Sequence, residues 1–140
     1  MNASSASINQ IVPDALKDGL DLDDAMSQLF TQLAGKIPLV HGACIERAFI
    51  DAYFQQRFGI ASAPCLWVDT LKIEKMLTYS GKTNLNRSFQ LQDVRSDYRL
   101  PNYSAHSAAI DALSAAELFI AQVKSIFKSH PPRLSKLVMI

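Results

Sequence analysis

Apolar side chains recur along this chain with two different periods, and the change from one to the other marks out its elements. Leu22, Ala25, Met26, Leu29, Phe30 and Leu33 repeat at helical spacing, with Asp21 placed to cap the start and Gly35 to end the run. Ile37-Pro38-Leu39-Val40-His41 is a short apolar run between Gly35 and Gly42. It predicts a buried strand, with Pro38 near the start where a missing donor costs least. A second helix is predicted over about 44–58. Ile45, Phe49, Ala52 and Tyr53 form its apolar stripe, with Ile50, Phe54 and Phe58 beside it, and Arg47, Asp51 and Gln55 mark its wet side. Gly59 stops it. Cys65-Leu66-Trp67-Val68 predicts another short strand, and Asp69-Thr70 then caps a helix holding Leu71, Ile73, Met76 and Leu77.

Residues 80–86 read as a polar loop and 88–98 as a further helix, closed by Pro101. The longest helix is predicted from about Ser107 to Phe127, with Ile110, Leu113, Ala116, Ile120, Val123 and Phe127 in phase. Pro131-Pro132 ends this body. The tail finishes in Leu137-Val138-Met139-Ile140, an apolar end that either docks on the domain or continues into further sequence. Residues 1–20 are thus a polar opening and a loop with a helical turn at Pro13, 21–128 the body and 129–140 the tail. Strands alternating with helices give an α/β class. Two short strands among several amphipathic helices do not make a self-sufficient sheet, so the sheet is expected to be incomplete.

With 140 residues, 49% of them hydrophobic and 19% charged, the composition is that of one globular domain rather than a disordered chain. A net charge of +1 neither demands nor excludes nucleic acid, because a local basic groove can sit on a neutral protein. No apolar run approaches the ~18 residues of a membrane span, and the opening lacks the charged start and apolar core of a signal peptide. Cys44 and Cys65 stand far apart and read as buried thiols in a reducing compartment. Together these predict a cytoplasmic protein.

Three segments carry chemistry. Tyr103-Ser104-Ala105-His106 runs into Ser107-Ala108-Ala109-Ile110-Asp111-Ala112-Leu113, with Ala116-Glu117-Leu118-Phe119 following. Leu39-Val40-His41-Gly42-Ala43-Cys44-Ile45-Glu46 is an apolar strand end followed by an acid, and Val68-Asp69-Thr70-Leu71 is a second strand end. In that order and spacing they resemble the DEDDh family of 3′→5′ exonucleases over roughly 20–128. H-x-x-x-x-D is that family's third motif, and an apolar strand ending in His-Asn-Ala with an acid beyond it is the second.

The resemblance implies a ribonuclease H-like fold and hydrolysis of single-stranded DNA or RNA ends to nucleoside monophosphates. Two Mg²⁺ or Mn²⁺ ions about 3.5–4 Å apart clamp the phosphate in that chemistry, held by carboxylates as hard cations require. By carry-over, His106 is the general base, Asp111 a metal ligand and Glu46, standing where the family usually has Asp, a second ligand; His41 and Tyr103 are candidate substrate contacts. His106 and Asp111 can converge only if His106 precedes the helix, with Ser107 as its cap. The family's first motif, D-x-E on an opening strand, is absent from these 140 residues: no Asp is followed two positions later by Glu. The fold is therefore expected to lack its first three strands and to be mostly helical with two short strands. The chain is expected to hold about half a site and to be nearly inactive. A missing N-terminal segment or a partner chain would cover the open sheet edge.

Two other readings stand beside this one. The first is a degenerate, non-catalytic module for nucleic acid or protein. The second is a Cys/His metal domain, for which His41, Cys44, Cys65 and His106 lack close ligand pairs. Asp69 reads as a structural cap, His41 as a strand-end residue holding the loop to Glu46, and Phe49, Tyr53, Phe54 and Phe58 as core. Arg95 and Arg99 read as a solvated face.

Overall fold

Two parallel strands carry helices on both faces. The computed structural model describes residue 17 and residues 19–81, 87–103, 107–127, 130 and 132–139. The helical turn at Pro13, most of the loop over 80–86, His106, Pro131 and Ile140 lie outside the described residues. In chain order the elements are α1 (Leu22–Leu33), β1 (Leu39–Val40), α2 (Cys44–Phe58), β2 (Trp67–Asp69), α3 (Thr70–Tyr79), α4 (Leu91–Asp97), α5 (Ala108–Phe127), a 3₁₀ turn (Leu134–Lys136) and β3 (Val138–Met139). β1 and β2 run parallel, Leu39 opposite Val68 and Val40 opposite Asp69. The apolar tail docks as β3, antiparallel to β2, with Trp67 opposite Met139. The order β1-β2-β3 leaves β1 an edge strand among the described residues.

Alternation along the strands divides the core in two. Val40 and Trp67 pack toward α1 and α2, against Met26, Phe30, Ala43, Ile50, Tyr53 and Phe54. Leu39 and Val68 pack toward α3 and α5, against Ile73, Phe119, Val123 and Leu137. The caps explain the boundaries. Asp21 Oδ1 accepts from the amides of Asp23 (2.7 Å) and Asp24 (3.2 Å) at the start of α1. Gly59, at φ 68°, turns α2 off in the left-handed conformation that glycine adopts without a side-chain clash.

Two helices are rotated from the faces their periodicity predicts. In α2 the buried residue is Ile50, flanked by Tyr53 and Phe54, whereas Ile45 (77% exposed), Phe49 and Phe58 face outward. Both stripes are apolar, so spacing alone does not choose between them. Phe30 of α1 chooses, meeting the Phe54 ring edge-on at 5.0 Å. In α5, Leu113 and Ile120 are exposed, while Ser114, Ala115, Leu118 and Gln122 are buried. The cysteines also differ from expectation: Cys44 is exposed, Cys65 half-buried, and both are free thiols.

The polar interior of α5 has a partner in Glu74. This fully buried carboxylate of α3 accepts from Arg87 Nη1 (2.8 Å), the Tyr98 hydroxyl (3.0 Å) and Gln122 Nε2 (2.8 Å). Gln122 Nε2 donates as well to the Thr70 carbonyl (3.0 Å). A buried charge is tolerable only when paired and hydrogen-bonded in this way. Burial, and then the charge of Glu74, push the Tyr98 phenol far up, so it stays a donor at any working pH.

One more carboxylate joins the layers. Asp69, 2% exposed at the end of β2, accepts from the amides of Gly42 (2.8 Å) and Leu71 (2.9 Å) on Oδ1 and of Ala43 (3.0 Å) on Oδ2. It caps α3 and holds the turn after β1 at the same time. Asp69→Ala is expected to lower unfolding free energy by about 3 kcal/mol, one cap plus two charge-assisted bonds. Asp69→Asn should cost less, because its amide oxygen keeps the Gly42 and Leu71 donors and only the Ala43 amide faces a donor. Urea denaturation of both variants checks the order; equal losses would show that the paired acceptors are not what matters.

Candidate functional site

The turn after β1 is built around Gly42. Its φ of +89° is strained for any residue with a side chain, and a Cβ there would meet Leu71 Cδ2 at 3.4 Å. This lets the Gly42 and Ala43 amides point at Asp69, and α2 starts directly afterwards with the Arg47 amide bonded to the Ala43 carbonyl (2.9 Å). Glu46 stands in the first turn of α2, exposed.

His41 is tied on both sides of its ring. Nε2 lies 2.9 Å from the Phe89 carbonyl and so carries a proton, while Nδ1 lies 2.8 Å from the Thr70 hydroxyl. The Thr70 hydroxyl lies as well 3.1 Å from the Val40 carbonyl, so its one proton serves either that carbonyl or Nδ1. His41 therefore joins the end of β1 to the start of α3 and to the segment before α4. It is a structural strand-end residue as expected, but its partners are Thr70 and Phe89 and not the Glu46 turn.

Asp111 lies in the first turn of α5, half-buried. Its amide bonds to the Ser107 carbonyl (2.8 Å), so Ser107 holds the cap position and position 106 precedes the helix. Among the described residues, the side chains of Glu46 and Asp111 have no hydrogen-bond or ion-pair partner. Also among them, no group of three or more His, Cys, Asp or Glu is close enough to hold a metal ion. Glu46 and Asp111 offer the hard oxygens that Mg²⁺ or Mn²⁺ prefer, but two carboxylates do not complete a two-ion cage.

Tyr103 and Arg95 form a brace directly ahead of that motif. Arg95, expected at the surface, is fully buried. Its Nη1 donates to the Ser114 carbonyl (2.7 Å), and its Nη2 donates to the Pro101 carbonyl (2.7 Å) and to Glu117 Oε2 (2.8 Å). The Tyr103 hydroxyl donates to Glu117 Oε1 (2.9 Å), and its ring centroid lies 4.9 Å from the guanidinium carbon. A substrate contact at Tyr103 or His41 would have to replace these bonds. The spacing of apolar residues gives no sign of an arginine that turns inward. The visible signal is Glu117, an acid on a helix that is otherwise apolar at that level. Arg99, with φ 55°, is exposed as expected.

At the carboxyl ends of β1 and β2 lies an open crevice of about 510 Å³. The Gly42 turn and Asp69 form its floor; Arg47 and Asp51 of α2 and Lys72 and Lys75 of α3 form its walls. Asp51 is occupied elsewhere, accepting from the Ala63 amide (2.8 Å) and the Ser62 hydroxyl (3.3 Å). Glu46 is not among the residues that line this crevice.

No protein-family model, curated protein or solved structure matches this chain. No helix among the described residues is long and apolar enough to cross a membrane.

The Arg95 guanidinium, and then the Tyr103 hydroxyl, hold the Glu117 carboxyl below the ordinary glutamate range, and the same contact pushes the Tyr103 phenol up. A carboxyl held low when folded adds stability above its unfolded value, about 4.3, and that stability is lost as pH falls through the lower folded value. Glu117→Gln is thus expected to lower the melting temperature by a constant amount near neutrality, with the gap to wild type closing in acid. A gap independent of pH down to strongly acidic solution would mean that the ion pair is not the cause.

Proposed function

We propose that this chain is part of a metal-dependent 3′→5′ exonuclease domain acting on single-stranded nucleic acid ends. What supports the reading is that the described acids of the second and third motifs fall on the elements its chemistry needs. Glu46 follows an apolar strand within one helical turn. Asp69 ends the second strand. Asp111 sits in the first turn of a long helix capped by Ser107, as an H-x-x-x-x-D motif with its base ahead of the helix requires. The roles proposed are His106 as base and Asp111 and Glu46 as ligands of Mg²⁺ or Mn²⁺. A D-x-E strand lying parallel along the edge of β1 that is open among the described residues would bring two further carboxylates beside the turn that leads to Glu46.

The test has two arms. The 140-residue chain, freed of contaminating nuclease, should not shorten a 5′-labelled single strand with Mg²⁺ above the level of its His106→Ala form. The same chain preceded by a D-x-E strand segment from its own locus should bind two Mn²⁺ in calorimetry and cleave, and Asp111→Asn should abolish the cleavage while the fold persists. An extended form that binds no Mn²⁺ would sink the proposal.

A second reading, an interaction module without catalysis, is favoured by one observation: β1, an edge strand among the described residues, lies close in sequence to the exposed Ile45 and Phe49 of α2. Exposed apolar surface at an unpaired edge favours association. The chain alone is expected to self-associate with rising concentration in sedimentation, and Ile45→Lys with Phe49→Glu should reverse this. Monomeric behaviour throughout would count against the module.

A further inference from the structure

The chain turns after β1 into α2 on one face of the sheet and after β2 into α3 on the other. Where helices following adjacent parallel strands leave to opposite faces, a crevice opens at the strand ends, and ligands of open α/β sheets bind there. We propose that this crevice holds the phosphodiester backbone of a single-stranded nucleic acid between Arg47 on one wall and Lys72 and Lys75 on the other.

Charge comes first. Arg57, Arg87 and Arg95 each face a carboxylate. Arg47, Lys72 and Lys75 line the crevice with no ion-pair partner among the described residues; Lys75 has only the Phe89 ring, 5.8 Å from its Nζ. Of the crevice's own acids, Asp69 is taken up by three amides, and Asp51 accepts an amide and a hydroxyl on Oδ1 and forms no ion pair with the three cations. They reduce the local potential without supplying a partner for the cations.

The floor then selects the kind of anion. A small phosphate at a strand-end crevice is ordinarily held by backbone amides. Here the Gly42, Ala43 and Leu71 amides already have the Asp69 carboxylate, so these three are not open to a lone phosphate. What remains is a row of side-chain charges at the rim, Lys72 and Lys75 one helical turn apart and Arg47 opposite. That arrangement suits an extended polymer of repeated single charges.

This inference rests on the nucleic-acid part of the proposed function and names the surface that would hold the strand. Binding can be read without catalysis. A fluorescein-labelled oligothymidylate is titrated with the full chain in EDTA, by anisotropy, between about 50 and 200 mM salt. Lys72→Gln with Lys75→Gln is expected to weaken binding about tenfold. It should also flatten the slope of log affinity against log salt by about 1.4, two single-strand phosphate contacts. Lys124→Gln with Lys136→Gln, exposed lysines elsewhere, should leave both unchanged, and all variants should melt with the wild type. The inference is overturned if the wild type does not bind, if the crevice variant binds with unchanged slope, or if equimolar inorganic phosphate displaces the strand. Binding lost in the crevice variant, with no cleavage by the D-x-E-extended chain, would leave this inference standing and the exonuclease reading fallen.

Discussion

The fold turns on one buried carboxylate. A two-residue strand beside a three-residue strand has few ladder bonds, so the parallel pair depends on whatever fixes its ends. Asp69 does this by accepting from the turn after β1 and from the first turn of α3 together. Gly42 makes the arrangement possible, because only its backbone conformation aims two successive amides at one side chain. His41 and Thr70 repeat the connection one residue along, joining strand end to helix start through an imidazole and a hydroxyl. The helices that carry Glu46 and line the crevice are thus positioned mainly by polar contacts at the strand ends.

Behind this hinge the interior between α3, α4 and α5 is unusually polar. Glu74, Arg95, Ser114 and Gln122 are all buried where a helical sandwich ordinarily places aliphatic side chains. Arg95 fixes the Leu100–Tyr103 segment on α5 just ahead of the motif, and Glu74 fixes the segments around Arg87 and Tyr98. Groups of this kind add little net stability when complete and cost much when broken, so they specify one arrangement of α4 against its neighbours. The Arg95–Glu117 contacts also keep Tyr103 engaged.

Much of the architecture was legible in residue spacing. The helices at 22–33, 44–58 and 108–127 follow from apolar periodicity and from Asp21, Gly59 and Ser107 at their ends, and Asp69 reads as a cap from its place before Thr70. The facing of α2 and α5 was not legible. Ile45 and Ile50 are equally apolar, and nothing local says that Phe54 will meet Phe30. In α5 the inward residues are chosen by Glu74 and Arg95, respectively 48 and 22 positions away from their partners Gln122 and Glu117. The role of Val138 and Met139 as a strand depends likewise on a pairing with distant Trp67 and Val68. For the candidate site, Glu46 and Asp111 occupy the helix turns that spacing assigned to them. The cationic crevice was hidden because Arg47, Lys72 and Lys75 become neighbours only when α2 and α3 leave the sheet on opposite faces.

The Glu74 cluster has a consequence for how this chain can diverge. One carboxylate serves donors drawn from positions 87, 98 and 122, so losing any donor leaves a charge poorly matched. Replacing the carboxylate takes from the Tyr98 hydroxyl its only acceptor among the described residues, while Arg87 keeps Asp97 and Gln122 keeps the Thr70 carbonyl. Single substitutions at these four positions are therefore expected to be costly, which favours their being exchanged together. That joint exchange gives a fingerprint by which remote kin could be recognised after the surface, the crevice and even the candidate ligands have changed.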